Sequence, residues 1–312
     1  MIVSFVIPAY NASGTIDAAL RSVYGVHAGA SDMWNVEVIV VDDGSNDRGA
    51  LEEVLGRYPK VVLVTHESNC GMCASRNSGI RRSQGDIVVI LDADDVLVSE
   101  WPGILRSVGD EWPEEAQICF AASRTPVGRS TVSEPEYRGF LTQDDLLNER
   151  HAGEYLPLFR GSYVRSRLYI DLGTRKSCGI LSYLRFAEDG PFWVTPRVLR
   201  VYCDTSDGSV TRGWTTAAKS LETVRCYGAL LERFADAYRR RAPRIYRTKL
   251  LRLAIYRHLA GTPNAWTTWR AGASWRASAE TVATAMLLLL SPAWCSRVVI
   301  GAKRAGLVRR YG

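Results

Sequence analysis

The sequence predicts an α/β fold: a mainly parallel central sheet flanked by helices, followed by a helical, arginine-rich C-terminal region. Three observations predict it. Apolar runs of strand length alternate with helix-length stretches over the first hundred residues, the order that builds parallel strands joined by right-handed crossovers. Each of these runs ends in polar residues: Tyr10 and Asn11, Asp42 and Asp43, His66 and Asn69, Asp92 to Asp95. Charge also divides along the chain. Residues 1–212 carry 21 Lys and Arg against 29 Asp and Glu, whereas residues 213–312 carry 18 against 4.

The elements follow in order. Ile2–Ile7 is continuous and apolar and stops at Pro8, the pattern of a strand buried on both faces. Ser13 can cap a helix reaching Tyr24. Val36–Val41 is a second buried strand, and a helix follows to Tyr58. Lys60–Thr65 is a third strand. Gly71–Ser83 is a helix stopped by Gly85. Ile87–Leu91 is a fourth strand, and Gln117–Ala122 a later one. Residues 125–140, rich in Pro, Gly and Ser, form a loop, with helical pieces beyond. Helical apolar spacing returns over Ala217–Tyr238, Ile245–Leu259 and Ala277–Leu290. The expected organisation is an α/β domain over 1–212 and a basic helical region over 213–312.

Composition sets limits on function. Apolar residues make up 46% and charged residues 23% of 312 residues, enough for a large core in an ordinary globular chain. The apolar stretch around Ala285–Leu290 breaks at Ser291-Pro292, short of the ~20 residues that span a bilayer. No basic segment precedes Ile2, so no secretory leader is expected. Seven scattered cysteines fit a reducing cytosol. Cys70-x-x-Cys73 has redox spacing, but no second pair completes a zinc site and the pair follows a third strand.

Chemistry concentrates at the strand ends, where ligands of open α/β sheets bind. Asp92-Ala93-Asp94-Asp95 crowds three carboxylates after a buried strand. They repel one another, so a hard cation, Mg²⁺ or Mn²⁺, is their natural partner, with phosphate oxygens completing its shell. The plain alternative is a solvated turn of capping aspartates. Asp42-Asp43-Gly44-Ser45 is either a tight turn or a carboxylate that accepts from a base N–H or a ribose hydroxyl. No Gly-x-Gly-x-x-Gly follows the first strand, which disfavours a dinucleotide-binding dehydrogenase.

Four motifs, Ile7-Pro8-Ala9-Tyr10-Asn11, Val40-Val41-Asp42-Asp43-Gly44-Ser45, Asn69 to Gly79 and Leu91-Asp92-Ala93-Asp94-Asp95, stand in one order and spacing. Together they resemble the family 2 glycosyltransferases of the GT-A fold. The resemblance is strong over residues 1–100, weaker to 212 and not evident after that. It implies a cradle for a nucleotide sugar: Pro8, Tyr10 and Asp42 at the nucleotide, Asn11 and Asp43 nearby, Arg76 facing the diphosphate. It also implies Asp92 at the ribose or metal shell and Asp94 as direct metal ligand. A UDP-sugar donor and inversion of configuration are implied too. Inversion needs a base, for which Asp189 of Glu188-Asp189 is the candidate; Trp193 is either a wall for a sugar ring or core.

Gly208-Ser209-Val210-Thr211-Arg212 resembles the segment closing over the donor diphosphate, with Arg212 neutralising its charge. No His precedes it, so Asp204, Asp207 or water would complete the metal shell. Arg160, Arg165 and Arg167 offer cations to an anionic acceptor, or a solvated face. Arg239-Arg240-Arg241 with Arg244, Arg247, Lys249 and Arg252, among tryptophans, suits an anionic membrane surface that presents a glycan or lipid-linked acceptor. Its alternative is a helical subdomain packed on the catalytic domain or on another subunit. No nucleic-acid motif is present.

The expectation is therefore a metal-dependent inverting hexosyl- or N-acetylhexosaminyltransferase of cell-surface glycan synthesis, cytoplasmic or peripheral on the inner membrane face. A catalytically inactive scaffold of the same fold and a sugar-1-phosphate nucleotidyltransferase are the alternatives.

Overall fold

The computed structural model describes residues 1–25, 34–203, 215–273 and 278–304, with side chains to residue 302. The chain divides into two compact units, Met1–Ser209 and Val210–Gly312.

The first unit opens with β1 (Ile2–Ala9), α1 (Ile16–Tyr24), β2 (Asn35–Asp42), α2 (Arg48–Leu55), β3 (Val61–Thr65), α3 (Met72–Arg82) and β4 (Ile87–Ile90). β1 pairs in parallel with β2 and β4, and β2 with β3. The parallel sheet read from the sequence holds over these four strands. α1 buries Ile16, Ala19, Leu20 and Val23, the one-faced spacing of a helix lying on a sheet.

α3 reaches the sheet differently, because its buried face includes Ser75, Asn77 and Gly79. A Cβ on Gly79 would run into the Val6 and Val41 side chains, so glycine is what lets helix and strand approach. Asn77 then uses its amide as a two-way clamp: Nδ2 donates to the Tyr169 carbonyl and Oδ1 accepts the Tyr169 amide, each at 2.9 Å.

Beyond β4 come β5 (Val96–Leu97), α4 (Trp101–Glu111), β6 (Ile118–Arg124), β7 (Gly139–Leu141), α5 (Gln143–Leu147), β8 (Leu156–Arg160), α6 (Gly161–Ser166), α7 (Gly179–Phe186) and β9 (Phe192–Val201). The sheet order is β3-β2-β1-β4-β8-β6-β9-β5, with β7 also on β9. β8 is antiparallel to β4 and β6, and β5 and β7 are antiparallel to β9, while β6 and β9 are parallel. The sheet is therefore parallel in its first half and mixed in its second. β8 and β9, which contain Pro157 and Pro196, were not legible as strands, since proline within a run argues against a central strand. Register shifts on β9 between Thr195 and Arg200 absorb the proline.

The second unit holds α8 (Ala217–Arg241), α9 (Pro243–Leu259), α10 (Ala265–Gly272), α11 (Ala279–Leu289) and α12 (Pro292–Arg304). No described helix is long and apolar enough to cross a membrane. Lys249, read from sequence as part of the surface patch, is buried. Its ammonium lies 5.9 and 5.6 Å from the Tyr227 and Tyr238 ring centres, so those aromatic faces rather than solvent receive the cation.

Candidate functional site

The carboxyl ends of β1 to β4 are stitched into one edge. The Asp43 amide donates to the Ala9 carbonyl and the His66 amide to the Asp42 carbonyl, both at 2.8 Å. Asn11, in the left-handed region at φ 52, accepts the Asn46 amide on Oδ1, and its own amide donates to Ser45 Oγ. Asn is among the few side chains that tolerate that backbone, so Asn11 fixes the turn after β2. Tyr10 beside it is 42% exposed, an aromatic face available to a flat ligand.

Asp42 and Asp43 turn inward instead. Asp42 is fully buried; Oδ1 accepts the Ser45 amide and Oδ2 the Arg48 Nε at 2.8 Å. Burial opposes its charge, but Ser45 and Arg48 hold its pKa below the ordinary carboxylate value. In this arrangement Asp42 also shapes the turn after β2. Asp43 Oδ1 accepts the Cys70 amide and lies 2.8 Å from His66 Nδ1, while Oδ2 accepts the Gly71 amide. Gly71 has φ 98, and a Cβ there would strike the Thr174 carbonyl, so the start of α3 sits against segment 171–177.

Asp43, His66 and Cys70 bring their ligand atoms within 4.8 Å of one another. Both His66 nitrogens are already engaged, Nδ1 with Asp43 and Nε2 with Ser78 Oγ at 2.9 Å, so the cluster is a structural hydrogen-bonded one. Cys73 is buried, 3.5 Å from Ser177 Oγ, and burial raises its pKa. A protonated thiol suits no redox role.

The three aspartates after β4 are sorted by two arginines. Arg76 Nη2 reaches Asp92 Oδ1 at 3.1 Å, and its guanidinium lies 5.5 Å from the Tyr169 ring centre. Burial works against its charge, but Asp92 outweighs it and keeps the pKa above the ordinary value. Its Nε is buried with no hydrogen-bond partner among the described residues. Arg200, from β9, pairs with Asp95 at 2.9 Å and stands 4.0 Å from Asp92. Asp95 is fully buried; burial pushes its pKa up to about 7 against the pull of Arg200. Asp92 and Asp94 are half-buried, and Ala93 between them is buried. Sequence reading missed Arg200; the available signal was a cation inside the apolar run Val198-Leu199-Arg200-Val201, since a buried arginine requires an acid.

Asp189, the expected base, lies at the opposite edge of the sheet from the aspartates. It precedes β9, whose first residues pair with the start of β6 (Cys119↔Trp193), while the far end of β9 returns to β5 (Val96↔Val201) beside Asp95. The paired length of β6 alone separates these ends by roughly 17 Å. Gly190 sits against the Glu115 carbonyl, just before β6.

There Asp189 accepts Arg167 bidentately at 2.8 and 3.0 Å and Tyr163 Oη at 2.9 Å. Glu188 and Asp189 line an open cleft with Thr142, Gln143 and Pro191. Trp193, at the same edge, packs edge-on to Phe140. Arg160 and Arg165 donate to carbonyls there. Asp189→Asn should therefore cost about 1 kcal/mol in a thermal melt, discounted for its exposure, and leave nucleotide binding unchanged. A turnover loss of about a hundredfold would return it to the chemistry. Arg212, Asp204 and Asp207 lie outside the described residues.

Residues 4–118 match the family model described as glycosyl transferase family 2. An uncharacterized glycosyltransferase of Haemophilus influenzae is 28% identical over 240 residues, 72% of this chain and 76% of that protein. The Escherichia coli UDP-Glc:alpha-D-GlcNAc-diphosphoundecaprenol beta-1,3-glucosyltransferase WfgD is 30% identical over 98 residues, 31% of this chain and 37% of that protein. Among solved structures, Staphylococcus aureus TarS 1–349 in complex with UDP-GlcNAc aligns with a TM-score of 0.56 at 13% identity, over 88% of this chain and 93% of that one. Residues 4–118 are thus similar to the glycosyl transferase family 2, and the chain shares the fold of the solved structures it resembles.

Proposed function

We propose that this chain is a family 2 glycosyltransferase that moves a hexose or N-acetylhexosamine from a UDP-sugar to a hydroxyl of a glycan or lipid-linked acceptor, with inversion and with Mn²⁺ or Mg²⁺, in making a cell-surface polysaccharide or glycoconjugate. One observation carries the reading. The edge beyond β4 sets Asp92 between two cations, Arg76 at 3.1 Å and Arg200 at 4.0 Å, with half-buried Asp94 two residues further on. That frame suits a ligand bringing its own negative charge together with a metal.

The donor set fits the metal. Carboxylate oxygens suit a hard cation that completes its shell with phosphate oxygens and water. Asp94 would hold the ion, with Asp92 supporting it while one of its oxygens stays with Arg76. When bound, such an ion neutralises charge on a departing diphosphate. Arg76, held on Asp92, would set its positive charge beside the diphosphate, and Tyr10 offers its ring to the base. The names of relatives support this direction: WfgD acts from UDP-Glc on a diphosphoundecaprenol acceptor, and TarS was solved with UDP-GlcNAc.

Inversion requires a proton acceptor at this edge. With Asp189 elsewhere, Glu154 and Asp171 take its place as candidates. Glu154 precedes β8, whose start faces the end of β4, and lies within electrostatic reach of Tyr183. Asp171 acts on Cys73 at the start of α3. The unit Val210–Gly312 serves as the part that meets an anionic surface where a lipid-linked acceptor would reside.

The test is a thermal-shift screen of UDP-, GDP-, dTDP- and CMP-sugars with and without Mn²⁺, since a ligand of the native state raises its apparent stability. A metal-dependent shift with a UDP-sugar is expected. No shift with any nucleotide sugar would sink the reading, and binding without sugar transfer or hydrolysis would favour the inactive scaffold.

A further inference from the structure

α11 is amphipathic in reverse. The side it turns to its own unit carries Thr281, Thr284 and Leu288, and Trp269 Nε1 donates to the Thr281 carbonyl and to Thr284 Oγ1 at 3.3 and 3.1 Å. The side it turns out carries Val282, Met286 at 63% exposure, Leu289 at 75% and Leu290. α12 continues this surface. Cys295 and Val299 point inward against Leu259, while Trp294 at 58% exposure and Val298 point out. Between Ala279 and Gly301 the only charged residues are Glu280 and Arg297. A contiguous exposed apolar face with polar groups packed beneath it is the opposite of what water selects, and it requires a cover.

Charge says what covers it. Thr248 Oγ1 donates to Glu280, and His258 Nε2 lies 2.8 Å from the Leu290 carbonyl, so α11 runs parallel to α9 from Thr248 to His258. Exposed Arg239, Arg240, Arg241, Arg244 and Arg247 therefore flank the first end of the apolar stripe. At its other end Arg297 stacks 4.9 Å over Trp294, and Lys303, Arg304, Arg309 and Arg310 follow in sequence. A second copy of the chain would bring like charges together at both ends. An anionic leaflet supplies acyl chains for the stripe and phosphates for the arginines, and tryptophan favours that boundary.

We infer that α11 and α12 form a monotopic membrane-docking face, lying in the headgroup plane with Met286, Leu289, Leu290, Trp294 and Val298 entering the acyl boundary of an anionic lipid surface. This rests on the reading above that the second unit meets such a surface, and it names the residues that do so.

The experiment is co-sedimentation of the full chain with phosphatidylcholine vesicles and with vesicles containing phosphatidylglycerol. It compares wild type with Met286→Asp/Leu289→Asp and with Trp294→Ala; these exposed positions leave the fold intact, checked by circular dichroism. Wild type should bind the anionic vesicles, and the double variant should lose at least about tenfold in affinity. Equal binding by both overturns the face while leaving the membrane reading standing. No binding by wild type overturns both, without touching the donor reading, which the nucleotide screen tests separately. A concentration-dependent dimer in analytical ultracentrifugation that the double variant abolishes would assign the face to a second copy and overturn the proposal.

Discussion

Arg200→Met should cost the first unit about 3–5 kcal/mol, the price of leaving a buried carboxylate without its cation. Asp95 is fully buried and Arg200 is 2% exposed, so solvent cannot replace the lost partner. Arg200 also donates to Ser123 Oγ at 2.9 Å and to the Tyr155 carbonyl at 3.1 Å, and Asp95 accepts the Cys203 amide. One side chain thus holds β6, the approach to β8 and the end of β9 around the aspartate cluster. Chemical denaturation in the presence of chelator measures the effect.

The pH dependence has a definite sign. Burial already raises Asp95 above its unfolded value, and Arg200 is what opposes that rise. A raised carboxylate contributes stability below the unfolded pKa and loses it as pH rises through the folded one. Removing Arg200 raises the folded pKa further, so the deficit of the variant should be larger at pH 8 than at pH 5. Adding Asp95→Asn to Arg200→Met removes the stranded charge and should recover part of the loss. Equal deficits at both pH values, with no recovery in the double variant, would show that the pair is not held by charge.

The same cluster marks how far the sequence could be read. The first four strands were legible because each is a continuous apolar run, and parallel strands buried on both faces have that signature. Asp92 to Asp95 were legible as a crowd of like charges. Their division of labour was not, because Arg200 and Arg76 arrive from positions 105 and 16 residues away from the carboxylates they meet. Asp189 illustrates the converse. Its neighbours and its distance along the chain from the metal motif suggested a role, but a proline-containing strand hidden in the sequence carries it to the other edge of the sheet. α11 shows a further limit: helical spacing of Val282, Met286 and Leu289 announces a helix and an apolar face, yet not whether that face is turned inward. Only the packing of Thr281 and Thr284 against Trp269 settles which side is out.

Asp94→Ala is expected to abolish the metal-dependent donor shift and to lower sugar transfer by at least about a hundredfold, since a bound ion contributes several kcal/mol of charge stabilisation when the diphosphate leaves. Asp94 is half-buried and its charge opposes that of Asp95, so truncation relieves a repulsion and should lower the melting temperature of the free protein less than Asp92→Ala does. The contrast with Asp92→Ala separates binding from architecture. Asp92 is the carboxylate paired with buried Arg76, and its removal strands that guanidinium beneath Tyr169; stability and donor binding should fall together. If Asp94→Ala retains both the metal-dependent shift and turnover, the ion is held elsewhere or not needed. If Asp94→Ala lowers stability as much as Asp92→Ala does, the two aspartates share one structural role, and the separation of metal ligand from arginine partner fails.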